Sequence, residues 1–168
     1  MNSEELRSLQ APLKQQYREN ETAALVTLKA TGRLGENVSC KIETGRALAE
    51  AGLHPATGGD GSFACSGDML LEALAACAGV TMNAVATAIG IEIKEGIIRA
   101  EGDIDFRGTL GVSKDVPVGF QKIRLYFDLN TNANEEQIAS LIKLTERYCV
   151  VFQTIRQSPE ISISVNRV

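Results

Sequence analysis

The chain has 168 residues and an ordinary globular composition, which suits one compact domain with a sizeable core. Its net charge is −4, and no basic stripe is interleaved with aromatic residues, which argues against nucleic acid as the main partner. No apolar run reaches the roughly 18–20 uncharged residues that a membrane span needs, since the nearest stretch, residues 69–91, contains Glu72. The first ten residues lack the apolar region of a signal peptide. We therefore expect a cytoplasmic protein that does not bind membranes.

The first third of the chain predicts a helix followed by a strand pair. Residues 3–17 have the spacing of an amphipathic helix, which Pro12 should kink or restart. Residues 25–30 and 38–43 are strand-like, and the turn sequence "TGRLGEN" (31–37) joins them. We expect the helix to belong to an arm over residues 1–22, appended to a domain over residues 23–168.

A Gly-rich stretch over residues 53–65 predicts a flexible loop, because no Gly-Lys-Ser/Thr follows it to bind a phosphate. A long helix is then predicted from Ser66, its expected N-cap, to Ile89, with Asp68 in the first turn. Because this helix is apolar nearly all round, we expect it to be the buried central helix of the fold.

The rest of the chain predicts strands within residues 91–108 and 120–131, a helix opening at Asn134 and running to about residue 155, and a final strand over residues 161–168. Strands thus come in runs separated by helices. This order indicates an α+β fold and not the regular alternation of doubly wound folds.

Four cysteines occur, at positions 40, 65, 77 and 149, without a CxxC pair and with a single histidine, His54. A structural zinc site is therefore not expected, and constitutive disulfides are rare in cytoplasmic proteins. His54 stands in the Gly-rich stretch, where a surface loop histidine is the ordinary expectation. Cys77 and Cys149 both lie in apolar helical settings, so they are either buried core thiols or a reacting pair.

Three motifs resemble those of the OsmC/Ohr family, the osmotically inducible and organic-hydroperoxide-resistance proteins. They are "ATGRLG" after the first strand, "SGDMLLEALAACAGVTM" over the long helix and "ERYCVVFQTI" over the later helix. The resemblance covers about residues 25–165. It implies curved antiparallel sheets around a long central helix in an intertwined homodimer, with two active sites at the subunit interface.

The resemblance also implies a role for each matching residue. Cys77 would be the peroxidatic cysteine, Cys149 the resolving cysteine, Arg33 the activating arginine and Asp68 its acidic partner. The implied activity is the reduction of organic hydroperoxides, with re-reduction by an external dithiol of the lipoyl type. The resemblance implies no metal and no organic cofactor.

The implied chemistry agrees with first principles. A thiolate is the nucleophile, and a guanidinium within hydrogen-bond reach stabilises it. A carboxylate next to the thiol would do the opposite, so Asp68 should act by holding Arg33 in place. Asp68 is one methylene shorter than the glutamate usual in the family, and Glu72 is a possible substitute on another face of the helix.

Apolar pocket walls are expected from the residues around the two cysteines, and they would favour a peroxide with an alkyl or acyl tail. These residues are Met69, Leu70, Val80, Met82 and Phe152, the last of which stands where the family usually has a serine. Two other functions stay open: a non-catalytic homodimeric module that binds a small ligand, and a general thiol–disulfide redox protein.

Overall fold

The computed structural model describes residues 3–34, 40–42, 51–61, 64–165 and 167. The helices are α1 (Ser3–Glu19), α2 (Ser66–Ile89), α3 (Phe106–Thr109), α4 (Glu135–Tyr148) and α5 (Val150–Arg156). The strands are β1 (Leu25–Leu34), β2 (Cys40–Ile42), β3 (Ala51–Gly52), β4 (Ala64–Cys65), β5 (Ile93–Asp105) and β6 (Lys122–Thr131). Two 3₁₀ turns lie at Glu21–Ala24 and Pro55–Thr57.

A four-stranded antiparallel sheet in the order β2-β1-β5-β6 forms one layer, and β3 and β4 form a separate parallel pair. The antiparallel pairing of β1 and β2 confirms the predicted strand pair. However, β1 continues to Leu34, so residues 31–34 are strand and not turn as predicted. Residues 35–37 of that turn and residues 38–39 and 43 of the predicted second strand lie outside the described residues.

Helix α2 begins at Ser66 and ends at Ile89, the bounds that the sequence predicts, and Asp68 lies in its first turn. The prediction that Ser66 caps the helix is wrong, because Cys65 occupies the N-cap position and makes no side-chain capping bond. At the other end the backbone of Gly90 is left-handed, with φ at 73°. Glycine adopts this conformation without the steric cost of a side chain, and the helix stops there.

One side of α2 packs against the sheet and the C-terminal helices, contacting β1, β5, α4 and α5. Leu71, Leu74 and Met82 are fully buried on this side, whereas Leu70 and Val80 remain exposed on the other. The composition of the helix predicted burial all round. In the single chain, however, one side of the helix is exposed. By length and composition alone α2 could cross a bilayer, a test that the core helices of soluble proteins also pass.

The C-terminal part departs from the prediction in two places. The helix predicted from Asn134 onwards begins there, with a capping box between Asn134 and Gln137, but it is two helices, α4 and α5, that meet at Cys149. The predicted final strand is not formed: residues 161–165 have no regular structure and their apolar side chains are at least 80% exposed. Alternation of apolar residues favours a strand, but a strand also needs a neighbouring edge to pair with.

The N-terminal helix α1 runs without interruption through Pro12, so the predicted restart does not occur. Tyr17 anchors it, since its side chain is 2% exposed and its hydroxyl donates a hydrogen bond of 2.6 Å to the carbonyl of Ala56. Leu13 also packs against the core that contains Leu74 and Cys149. The division of the chain into an arm over residues 1–22 and a domain over residues 23–168 stays a prediction.

Candidate active site

Two cysteines 72 positions apart in the sequence meet in the fold. Cys77 lies in the middle of α2, and Cys149 lies at the junction of α4 and α5. Their side chains pack in the same core cluster, where Cys77 is close enough to raise the pKa of Cys149, and both are free thiols. Cys149 is 1% exposed, whereas Cys77 is only partly buried. The two thiols are therefore neighbours, and Cys77 is the one that is partly open to solvent.

The chain changes direction at Cys149, and this places backbone donors around its sulfur. The N–H of Cys149 closes the last turn of α4 on the carbonyl of Thr145 at 2.9 Å. Cys149 itself is extended, with φ at −73° and ψ at 108°, and the next helix starts one residue later. The amide N–H groups of Val151 and Phe152 lie near enough to the Cys149 side chain to influence its pKa, although Cys149 makes no side-chain capping hydrogen bond. These N–H groups have no partner within the helix because they belong to its first turn.

The pKa of the Cys149 thiol is raised to about 11, mainly by burial and to a smaller extent by Cys77, while the N–H groups of Phe152 and Val151 oppose the rise. Cys149 is thus protonated at neutral pH. A protonated thiol is a donor, so Cys149 can give its S–H hydrogen bond to the sulfur of Cys77.

Asp68 lies nine positions before Cys77 on the same helix. At a rise of about 1.5 Å per residue, the two are separated by roughly 13 Å along the helix axis. The carboxylate is therefore too far from Cys77 to act on the thiol directly. Asp68 does influence a neighbouring carboxyl group. Burial is the main cause that raises the pKa of Glu72, and the negative charge of Asp68 is the second.

His54 is more ordered than the predicted surface loop histidine. Its Nδ1 accepts a hydrogen bond of 3.0 Å from the N–H of Ala56, and its ring stacks on Phe106 with centroids 5.0 Å apart. Burial lowers the pKa of His54, and the nearby charge of Asp68 opposes this. His54 therefore shapes the turn at the base of α2 as a neutral capping residue. The sequence signal was His-Pro, since proline is favoured at the first position after a cap.

An apolar pocket lies in the same core region as the two thiols, and neither thiol lines it. It encloses about 210 Å³ between α2, β6 and α5, and its lining residues are Leu74, Ile123, Leu125, Phe152, Ile155 and Arg156. Leu74 and Phe152 come three positions from Cys77 and Cys149 respectively, and both pack in the same core cluster as the thiols. The site thus combines a partly accessible dithiol with an apolar cavity.

The model of the family described as OsmC-like protein matches residues 59–164, which include both cysteines. The chain belongs to the OsmC-like protein family. Among proteins of curated function, none matches this sequence.

Two solved OsmC-like structures share the fold. One is an OsmC-like hydroperoxide resistance protein from Jannaschia sp. CCS1, with 15% identity and a TM-score of 0.63 over 86% of this chain and 95% of that one. The other is an OsmC-like protein from Mycoplasma pneumoniae, with 21% identity and a TM-score of 0.55 over 80% of this chain and 86% of that one. The OsmC-like family thus includes hydroperoxide resistance proteins, and this chain has its mixed α/β fold with an antiparallel sheet.

In this OsmC-like chain the backbone of Arg33 lies in β1, paired with Lys41 on one side and Ile97 on the other. The side chain of Arg33 lies outside the described residues. The predicted pairing of Arg33 with Asp68, and its approach to Cys77, therefore stay predictions.

The pocket walls differ from those expected around the cysteines. Of the expected residues only Phe152 lines the cavity, while Met82 is fully buried in a second core cluster with Leu141. Leu70 and Val80 are exposed. Sequence reasoning missed five walls: Leu74 of α2, Ile123 and Leu125 of β6, and Ile155 and Arg156 of α5. No local pattern around either cysteine could reveal the two walls from β6. Among the residues that the structure describes, no group of three or more His, Cys, Asp or Glu side chains could hold a metal ion.

Proposed function

We propose that this OsmC-like protein is a thiol-dependent peroxidase that reduces organic hydroperoxides. The observation that carries the proposal is the contact between Cys77 and Cys149, brought together from separate helices beside an apolar cavity. A buried thiol alone is ordinary core packing. Two free thiols in contact, one of them accessible, have the arrangement that a peroxide-reducing dithiol needs.

The exposure of the two thiols supports a separate role for each. Cys77 attacks, because it is the one that a peroxide can reach. Its thiolate sulfur bonds to the terminal peroxide oxygen and the O–O bond breaks. The alkoxide takes a proton and leaves as an alcohol, and Cys77 is left as a sulfenic acid. The sulfur of Cys149 then attacks the sulfur of Cys77, and the thiol proton leaves with the hydroxyl as water.

Resetting the site requires two electrons from outside the chain. We propose a dithiol of the lipoyl type, which reduces the Cys77–Cys149 disulfide by exchange and leaves as its own cyclic disulfide. In the same scheme Arg33 stabilises the Cys77 thiolate, and Asp68 orients the guanidinium of Arg33. The distance of Asp68 from Cys77 supports this indirect role, since a carboxylate in contact with the thiolate would repel it.

We further propose that the protein is a homodimer. Supporting this, α2 leaves Leu70 and Val80 exposed on the side opposite the sheet. Ile161, Ile163 and Val165 alternate with serines in an exposed segment that has the sequence of a strand. Exposed apolar side chains grouped in this way are typical of an interface.

The test is a stopped-flow reaction of the reduced protein with tert-butyl or cumene hydroperoxide, with thiol counting and mass mapping of the product. We expect two thiols to be lost per peroxide and a Cys77–Cys149 disulfide to form. Cys77→Ser should abolish the reaction. Cys149→Ser should lose one thiol and leave a sulfenic acid on Cys77 that a dimedone reagent traps.

Cys65→Ser is the matched control, because Cys65 is a free thiol that the scheme does not use. If Cys77 and Cys149 both stay reduced under excess peroxide, the peroxidase proposal fails. If the Cys77–Cys149 disulfide instead forms when the protein is treated with another disulfide and not when it is treated with a peroxide, that result would indicate a general thiol–disulfide redox protein.

A further inference from the structure

The pocket beside the dithiol carries one charge among apolar walls. Five of its six lining residues are aliphatic or aromatic, and the sixth is Arg156. Arg156 is the last residue of α5 and is exposed. Among the described residues, no carboxylate forms an ion pair with it. A cation without a partner at the edge of an apolar cavity is free to pair with a group on a bound molecule.

The pocket and the reacting thiols share two helical regions. Leu74 of the pocket wall lies three positions before Cys77 on α2, and Phe152 lies three positions after Cys149. Arg156 lies four positions after Phe152 on α5, an advance of about 6 Å. A molecule in the pocket therefore lies between the guanidinium and the helical turn that precedes Cys77.

The cavity has room for a small apolar group. At about 30 Å³ for each small non-hydrogen group, the volume of a water molecule in the liquid, 210 Å³ holds roughly seven such groups. This is enough for a short branched alkyl body.

We propose that the pocket binds small molecules with a short apolar body and a carboxylate, and that Arg156 binds the carboxylate. This substrate class rests on the proposed function: the peroxidase would act on short alkyl hydroperoxides that carry a carboxylate. Arg156 is a specificity residue in this scheme. The peroxide is reduced to the alcohol as described above, and the carboxylate is unchanged. The planar guanidinium suits a carboxylate because it can donate two parallel hydrogen bonds.

Binding can be measured without any redox step. The probe is 3,3-dimethylbutanoate, the anion of tert-butylacetic acid, which has the shape of such a substrate but no peroxide group. Its neutral amide is the comparison. We expect the wild-type protein to bind the anion about five-fold more tightly than the amide at low salt, with the preference declining as salt is added. Titrations followed by NMR give both dissociation constants.

Three variants test whether Arg156 itself causes the preference for the anion or whether the overall charge of the protein does. Arg156→Gln should remove the preference for the anion, and Arg156→Lys should keep part of it. Arg18→Gln makes the same change of charge at an exposed position on α1 and should leave the preference intact. Equal binding of anion and amide by the wild type, or a preference that survives Arg156→Gln, would overturn the proposal.

A kinetic comparison tests the substrate class. The tertiary hydroperoxide of isovalerate should oxidise Cys77 about five-fold faster than tert-butyl hydroperoxide in the wild type, and about equally fast in Arg156→Gln. Equal rates in the wild type would refute the proposed class while leaving the peroxidase intact. If neither peroxide oxidises Cys77, the peroxidase proposal and the substrate class both fail, and the binding titration alone decides the role of Arg156.

Discussion

Raising the pH should destabilise the reduced protein, because it ionises a thiol that the fold keeps neutral. Cys149 has a pKa of about 11 in the folded chain, and a cysteine in an unfolded chain has a pKa of about 8.5. The folded-state pKa is the higher of the two. The stability that the neutral thiol of Cys149 contributes is therefore fully present below about pH 8.5 and is lost as the pH rises through 11.

The size of the effect follows from the difference between the two pKa values. Each unit is worth about 1.4 kcal/mol, so the free energy of unfolding should fall by about 3 kcal/mol across this range. The thiol at pH 8 is ionised in only about one molecule in a thousand. Cys149 should accordingly be alkylated far more slowly than Cys77, for reasons of charge as well as burial.

The assay is urea unfolding under reducing conditions at several pH values, for the wild type and for Cys149→Ser. Serine has nearly the same shape and does not titrate, so subtracting its pH dependence removes that of the other groups. In Cys77→Ser, the pKa of Cys149 should fall but stay above its ordinary value, because burial is the larger cause. Equal pH dependence of the wild type and Cys149→Ser would refute this reasoning.

Two further predictions concern the scaffold around the site. Gly102→Ala should lower the free energy of unfolding by about 1–3 kcal/mol, because the added methyl group would overlap the ring of Phe120. Gly119→Ala is the matched control, since nothing lies within 4 Å of its new methyl group, and equal urea midpoints for the two variants would contradict the packing described here. Tyr17→Phe should cost about 1 kcal/mol by leaving the carbonyl of Ala56 without its donor, and hydrogen exchange in α1 should rise with it. Unchanged exchange in α1 would mean that this bond does not hold the helix.

The sequence predicted the helix boundaries that are determined by residues close to them in the chain. The bounds of α2 follow from a long apolar run between an acidic first turn and Gly90, a residue that ends helices. The helix predicted to open at Asn134 does so, and Asn134 forms a capping box with Gln137. In each case the signal lies within a few residues of the boundary it marks.

The features that were missed depend on residues far apart in the sequence. The break at Cys149 lies in "TERYCVVFQTI", which contains neither glycine nor proline and keeps helical spacing. Two of the pocket walls, Ile123 and Leu125, come from β6, and the strand predicted over residues 161–168 pairs with no strand in the described chain. Contacts between distant elements decide all three. The two cysteines were predicted as a pair by resemblance to a family, because their spacing alone only permitted the contact.

The backbone N–H groups of Val151 and Phe152, which lower the pKa of Cys149, make part of the surroundings of this sulfur independent of side-chain identity. A backbone N–H is present in every residue except proline. A substitution of Phe152 can therefore reshape the pocket while the N–H groups near the sulfur remain. Evolution could vary the molecule that the cavity accepts, through Phe152 for example, without rebuilding the chemistry next to it.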